Sequence, residues 1–334
     1  MANEKPSKFN SKKILFKSLE LAIYALVIWF IYDKLGGSLA RIDVWSEINY
    51  GLLILAVFVY MGHTFWNALN WHYMIKASGE DVTVISQVEV YLKSYLLRYV
   101  PGNIVGILAR AIYNKQYNVP MAKSLWGWFW ENIVYLALGL LLGSIALFSV
   151  GQDIFDRLEI GSEPDLLFQG LIVAVFVLTL FVILDNRVLK SLFNKFLLPK
   201  LSEKSRREFQ LLDISMKDRL ILLLRYAIAW GIYSISFYFI LKAVGVESNY
   251  VAAISANAMA WALGYMSVIT PSGAGVRETV MIFLLTASVG LSGSASVIIA
   301  VLARIVFISG EVLGFLAFFV TKFLVERLPN GRAK

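Results

Sequence analysis

Seven ionisable side chains fall inside or against long apolar stretches of this chain: Arg98, Arg110, Glu131, Arg277, Glu278, Arg304 and Glu311. A charge at bilayer depth costs a few kcal/mol, so it is kept where it pairs, binds a ligand or lines a polar path. Arg98 and Arg110 flank the stretch RYVPGNIVGILAR, which is broken by Pro101, Gly102, Asn103 and Gly106. Arg277 and Glu278 directly follow a second break, TPSGAGVRE, which contains Pro271, Gly273 and Gly275. Glu131 lies within WGWFWENIVYL. Arg304 and Glu311 lie in LARIVFISGEVLGF, seven residues apart and so on one helix face. Glycines permit tight backbone at the two breaks. A helix restarting after each break presents free N–H groups and positive potential. Together with four arginines this suits an anionic group such as a phosphate. Glu131, Glu278 and Glu311 would balance the cations, or take an amine or a proton. The competing role is internal neutralisation, with Arg304 pairing to Glu131 or Glu278 and locking helices together.

Other chemistries are poorly supplied. Cysteine is absent and there are two histidines, His63 and His72, so thiolate chemistry is excluded and a His-rich metal site is not expected. There is no HExxH, GxSxG or GxGxxG motif, and SGAG lacks the spacing of a phosphate-cradling P-loop. No cofactor is expected and no ATP site is visible. An embedded enzyme of lipid or glycan assembly would need a carboxylate as base, and Glu131 and Glu278 are the candidates.

The elements that position these residues are membrane helices. Of 334 residues, 58% are hydrophobic and 16% charged, and mean hydropathy is +0.68. A soluble domain has about 45–50% and about 25%. Apolar runs at 14–32, 50–71, 124–150, 166–184, 220–241 and 295–321 are each long enough to cross a hydrocarbon core of about 30 Å. The first is too long for a signal-peptide core and no small-x-small site follows it, so it reads as a retained span. Residues 85–115 and 250–290 read as helix, Pro/Gly break, helix. In 85–99, Ile85, Val88, Tyr91, Leu92, Tyr95, Leu96 and Tyr99 form one apolar stripe, with Glu89, Lys93, Ser94 and Arg98 off it. The alternative for that stretch is an interfacial helix on the membrane surface. His63, Asn67 and Asn70 are expected to hydrogen-bond between helices, with His72 at the membrane interface. Trp126, Trp128, Phe129 and Trp130 are expected to form an interfacial belt.

Lysine and arginine set the orientation. The N-terminal tail, the basic loop 185–219 and the C-terminal tail are rich in them and belong in the cytoplasm. The loop 151–165 carries five acidic residues against Arg157 and belongs outside. The net charge of +8 then reports orientation and anionic lipid rather than nucleic acid. With these ends fixed, 85–115 starts and ends inside, and 250–290 starts and ends outside. Both fit re-entrant hairpins, entering from opposite faces. The expectation is an all-α polytopic membrane protein, a single transmembrane domain over 1–334. Its inverted repeat halves, about 14–150 and 166–321, meet at a transport site.

The motifs R-x-x-P-G (Arg98-Tyr99-Val100-Pro101-Gly102, then Arg110) and P-x-G-x-G-x-x-E (Pro271 to Glu278, then Arg304) resemble those of the lysylphosphatidylglycerol synthase transmembrane-domain family, also called flippase-like domain proteins. Glu131 sits where that family often has an acidic residue. The likeness covers about 14–321. The first tip reads PGNIVG rather than a tighter PGG-x-G, and Ser272 precedes the first glycine of the second.

The resemblance implies a helical bundle that moves lipids between leaflets of a prokaryotic plasma membrane. The substrate would be an anionic or aminoacylated phospholipid or a lipid-linked sugar. Some relatives carry a soluble aminoacyl-transferase domain after this one, for which the 334 residues leave no room, so synthesis of the lysyl lipid is not expected of this chain. A non-catalytic role beside a separately encoded transferase, docked through the loop 185–219, is the further alternative.

Overall fold

The computed structural model describes residues 47–97, 104–157, 185–196, 214–247, 249–267, 273 and 275–327, with isolated positions between. Two expected spans, 14–32 and most of 166–184, lie outside the described residues. Those residues form helices and turns, with no strand among them. In chain order the helices are α1 (Tyr50–Ala77), α2 (Val84–Leu96), α3 (Ile104–Lys115), α4 (Met121–Arg157), α5 (Asn186–Phe196), α6 (Met216–Ala243), α7 (Tyr250–Met266), α8 (Val276–Val289) and α9 (Gly293–Arg327). By length and composition α1, the first 26 residues of α4, α6 and α9 can each cross a membrane. The stretch 250–290 is helix, break, helix, with α7 and α8 on either side of Gly273 and Gly275, and the stretch 85–115 contains α2 and α3, with residues 98–103 outside the described residues.

Local chemistry starts these helices where it should. Asn49, Thr83 and Ser215 each accept a backbone N–H at the starts of α1, α2 and α6. Asp218 in the first turn of α6 complements the helix dipole. α1 ends at Ser78, whose N–H returns to the last carbonyls.

Element lengths repeat. Long, short, short, long describes α1–α4 (28, 13, 12 and 37 residues) and α6–α9 (28, 17, 14 and 35). Packing repeats with them. Within each quartet consecutive helices touch, and between quartets α4 packs on α7 as α9 packs on α2. The leading helices, α1 and α6, form the most extensive interface. They run antiparallel along their whole length. The Asn49 N–H donates to Ala243 O at 2.9 Å, and Ser236 Oγ to Ala56 O at 2.8 Å. Trp66 Nε1 donates to Arg225 O at 2.8 Å, and Tyr73 to Asp218 at 2.7 Å.

The core lies between the quartets. Trp126, Trp130, Trp230, Tyr226 and Phe307 are fully buried there, while Trp71 is buried in a second cluster with Tyr91 and Leu92 of α2. The α4–α7 contact depends on Gly143, where a Cβ would stand 2.7 Å from Met259 backbone. Outward faces stay apolar: Ile54 and Phe58 on α1, Leu224 and Ile235 on α6, and Leu316 and Val320 on α9 are exposed. A bilayer would cover such faces.

Two expectations need correction. Trp126 and Trp130 do not form an interfacial belt. Both are fully buried, and Trp126 packs edge-on against Phe193 of α5. α2 is not divided into an apolar stripe and a polar remainder either. Gln87, Glu89 and Ser94 are buried while Ile85 is exposed, because α1, α3 and α9 all pack on α2. Glu89 is satisfied there by Lys93, by Lys322 of α9 and by the Tyr117 hydroxyl at 3.2 Å.

The basic loop contributes α5, which buries Leu189 and Phe193 and exposes Arg187 and Lys195. At its start, Arg187 hydrogen-bonds Asp185 and holds that carboxyl below the usual range.

Candidate functional site

The second break is built by backbone. Gly273 and Gly275 have φ of +71° and +88°, conformations that side chains disfavour. At Gly273 a Cβ would come within 2.6 Å of Gly264 O, so the tip lies directly on the end of α7. One turn later Glu278 accepts the Gly275 N–H at 2.6 Å, closing the first turn of α8. Its other carboxylate oxygen stands 3.7 Å from Arg304 Nε on α9. The Arg304 and Glu278 side chains are 21% and 14% exposed. This pair therefore keeps a face open. Of the two carboxylates that the sequence offers Arg304, the fold brings Glu278.

Arg277 points the other way, into the bundle. It is buried, donates to the Tyr233 hydroxyl, and lies 5.0 Å from the Phe307 ring centre. Tyr233 passes its own hydrogen to Asn257 at 3.1 Å. Glu311, also buried, accepts from the Tyr60 hydroxyl at 3.1 Å. The Tyr60 ring stacks on Phe307 at 4.4 Å and lies 4.9 Å from His63. His63 shares a 2.6 Å hydrogen bond with Tyr135, and Asn67 approaches the same ring nitrogen at 2.9 Å. The expected role between helices is thus met by His63, which reaches Tyr135 of α4, and by Asn70, which accepts from Arg225 of α6 at 3.0 Å, while Asn67 meets His63 within α1. One polar and aromatic cluster joins α1, α4, α6, α7, α8 and α9. Tyr60 lies about 15 Å along α1 from its start, half the thickness of a hydrocarbon core.

Tyr60→Phe will test this cluster. It removes a hydrogen bond from a buried carboxylate and is expected to cost about 1–3 kcal/mol. Thermal unfolding in detergent measures it, and no loss would mean that Glu311 does not depend on Tyr60.

The first break is arranged differently. Arg98, Pro101, Gly102 and Asn103 lie outside the described residues, as does Pro271 of the second break. Gly106 falls within α3. Arg110 donates through Nη1 to Glu131 at 2.6 Å and through Nε to Ser94 at 3.0 Å. Its guanidinium lies between the rings of Trp71 (4.7 Å) and Tyr91 (4.5 Å). Both partners are nearly inaccessible, at 7% and 10%.

Each quartet therefore closes its second short helix onto its last long one with an ion pair, and the signs are reversed. The cation is on α3 and the anion on α4 in the first quartet; the anion is on α8 and the cation on α9 in the second. Nearer the connecting loop each quartet adds a neutral polar contact, Asn114 to Ser124 at 3.0 Å and Thr286 to Ser296 at 3.1 Å.

Sequence reasoning missed Tyr60, Tyr135, Tyr233 and Asn257. Tyrosine counts as apolar in a span, and nothing in spacing alone separates a tyrosine aimed inward from one aimed at lipid. Glu89 did carry a signal, the i,i+4 partner Lys93, although that signal points to a solvated face as readily as to a buried one. No group of three or more His, Cys, Asp or Glu side chains among the described residues could hold a metal.

No curated protein matches the chain. The family model for the lysylphosphatidylglycerol synthase TM region matches residues 18–308. That match takes in both broken segments, all seven of the ionisable residues except Glu311, and most of the helices described above. The chain belongs to the lysylphosphatidylglycerol synthase transmembrane-region family.

Proposed function

We propose that this protein moves lipid between membrane leaflets, carrying an anionic or aminoacylated phospholipid or a lipid-linked sugar. The observation that carries this reading is the Glu278–Arg304 pair beside the second tip, whose side chains stay partly exposed. A phosphate can approach Arg304 there, next to the start of α8, where a helix end favours an anion. Glu278 would release Arg304 to the phosphate or receive an amine on the head group. Arg277, Arg98, Arg110, Glu131 and Glu311 complete the set along the path, and the tips at Pro101–Gly106 and Pro271–Gly275 act as gates.

The antiparallel α1–α6 contact and the repeated element order support two halves related by inversion, each with a re-entrant hairpin. In the conformation described, the Arg110–Glu131 pair is closed and the Glu278–Arg304 pair is partly open. On this reading the two pairs exchange states as access alternates. A phosphate reaching Arg110 must displace Glu131. The termini are cytoplasmic, the membrane is the plasma membrane, and the driving force is a gradient or the imbalance of the lipid itself.

Transport by charge-neutral variants tests the residue assignment. Arg304→Gln and Glu278→Gln are expected to slow head-group-labelled lipid movement by about tenfold or more, as for other charge-assisted hydrogen bonds, with thermal unfolding near wild type. Normal rates in both folded variants would remove the pair from the path.

A further inference from the structure

Arg225 differs from Arg110 and Arg304 in its partners. It is half-buried on α6, about 13 Å along the helix from Met216. Its Nε donates to Asn70 Oδ1 at 3.0 Å, and its guanidinium lies 5.0 Å from the Trp66 ring centre and 5.3 Å from that of Tyr73. Trp66, Asn70 and Tyr73 share one face of α1, so two aromatic walls and an amide hold the cation in a fixed plane. Arg110 and Arg304 each meet a carboxylate. Arg225 meets none among the described residues. The near carboxylate, Asp218, is taken by the hydroxyls of Tyr73 (2.7 Å) and Ser215 (2.6 Å). The Nη1 and Nη2 groups keep their N–H donors, in the forked geometry that fits a phosphate. Leaving such a cation unmatched at this depth is costly.

The surroundings favour an anion. Lys76 in the last turn of α1 and Lys217 in the first turn of α6 are exposed at the same end of the pair. Beside Arg225 on α6, Leu224 and Ile228 are exposed and apolar, as acyl chains require. A long side chain at this level reaches back toward the interface, where lipid phosphates lie.

We propose that Arg225, held between Trp66 and Tyr73, binds the phosphodiester of an anionic phospholipid in the leaflet at the C-terminal end of α1. The site is on the outer face of the α1–α6 seam and does not depend on the transport reading.

Native mass spectrometry of the full chain released from nanodiscs tests it, with phosphatidylglycerol and diacylglycerol supplied in turn. Wild type is expected to retain phosphatidylglycerol and not diacylglycerol. Arg225→Gln is expected to weaken retention by about tenfold to a hundredfold. Asn70→Asp keeps the cation but offers it an internal carboxylate, and is expected to displace the lipid while remaining folded. Equal retention by wild type, Arg225→Gln and Asn70→Asp would overturn the proposal, as would equal retention of diacylglycerol. Full displacement of phosphatidylglycerol by millimolar inorganic phosphate would identify a free-phosphate site instead and overturn the lipid assignment.

Discussion

Glu131→Ala is expected to destabilise the protein by about 3–5 kcal/mol, because it leaves a buried guanidinium without its counter-charge. Arg110 has nowhere else to go. Trp71 and Tyr91 enclose it, and Ser94 supplies a neutral acceptor only. Unfolding free energy in mixed micelles reads the loss directly. The companion variant is Arg110→Met/Glu131→Leu, which removes both charges and keeps the volume. It is expected to return to within about 1–2 kcal/mol of wild type, since a buried pair contributes little net stability over a packed apolar pair. If Glu131→Ala alone unfolds like wild type, Arg110 must reach water, and the enclosed state of the first pair is wrong. The double variant serves the functional argument as well. A stable protein that no longer moves lipid would assign the pair to transport rather than to folding alone.

The second large effect is expected at the second tip. Gly273→Ala places a methyl group 2.6 Å from Gly264 O and 2.7 Å from the Gly264 carbonyl carbon. Both are backbone atoms and cannot rotate away. The left-handed conformation adds roughly 1–2 kcal/mol for any residue with a Cβ, and overpacking typically adds about 1–3 kcal/mol. The tip must lift from α7, carrying with it Gly275 and the first turn of α8, where Glu278 is held. Lipid movement is expected to fall to background even where the protein still assembles. Gly231→Ala is the matched control: a Cβ there meets nothing within 4 Å, and alanine favours the helix by up to about 1 kcal/mol. Equal behaviour of the two variants would show that the tip does not rest on Gly264.

Much of this architecture is legible in the residues. The runs 50–71, 124–150, 220–241 and 295–321 correspond to α1, α4, α6 and α9, because continuous apolar sequence leaves a helix no other way to satisfy its backbone in lipid. The second break falls where Gly273 and Gly275 interrupt the pattern, between α7 and α8. The residues alone leave Arg304 between Glu131 and Glu278 because the choice depends on which helices meet, and α8 meets α9 through a three-residue connection. Trp126 and Trp130 were misplaced for a related reason. Tryptophan at a helix start suits a membrane interface, and it is the docking of Phe193 of α5 on Trp126 and of Tyr226 of α6 on Trp130 that turns this side of the helix into core. The inward tyrosines escaped notice because hydropathy counts the ring and ignores the hydroxyl. Their importance comes from tertiary contacts such as Tyr60 with Glu311, residues 251 positions apart.

The central claim is that the protein carries lipid between leaflets, and the most direct measurement is head-group accessibility in proteoliposomes. Fluorescent-head-group phosphatidylglycerol, an aminoacyl phospholipid and a polyprenyl-phosphate sugar would each be incorporated, with a membrane-impermeant quencher added outside. The account predicts that, for one head-group class, the protected fraction disappears with wild-type protein and persists with Arg304→Gln. A protected fraction equal to that of protein-free vesicles for all three lipids, with and without an imposed ion gradient, would contradict it.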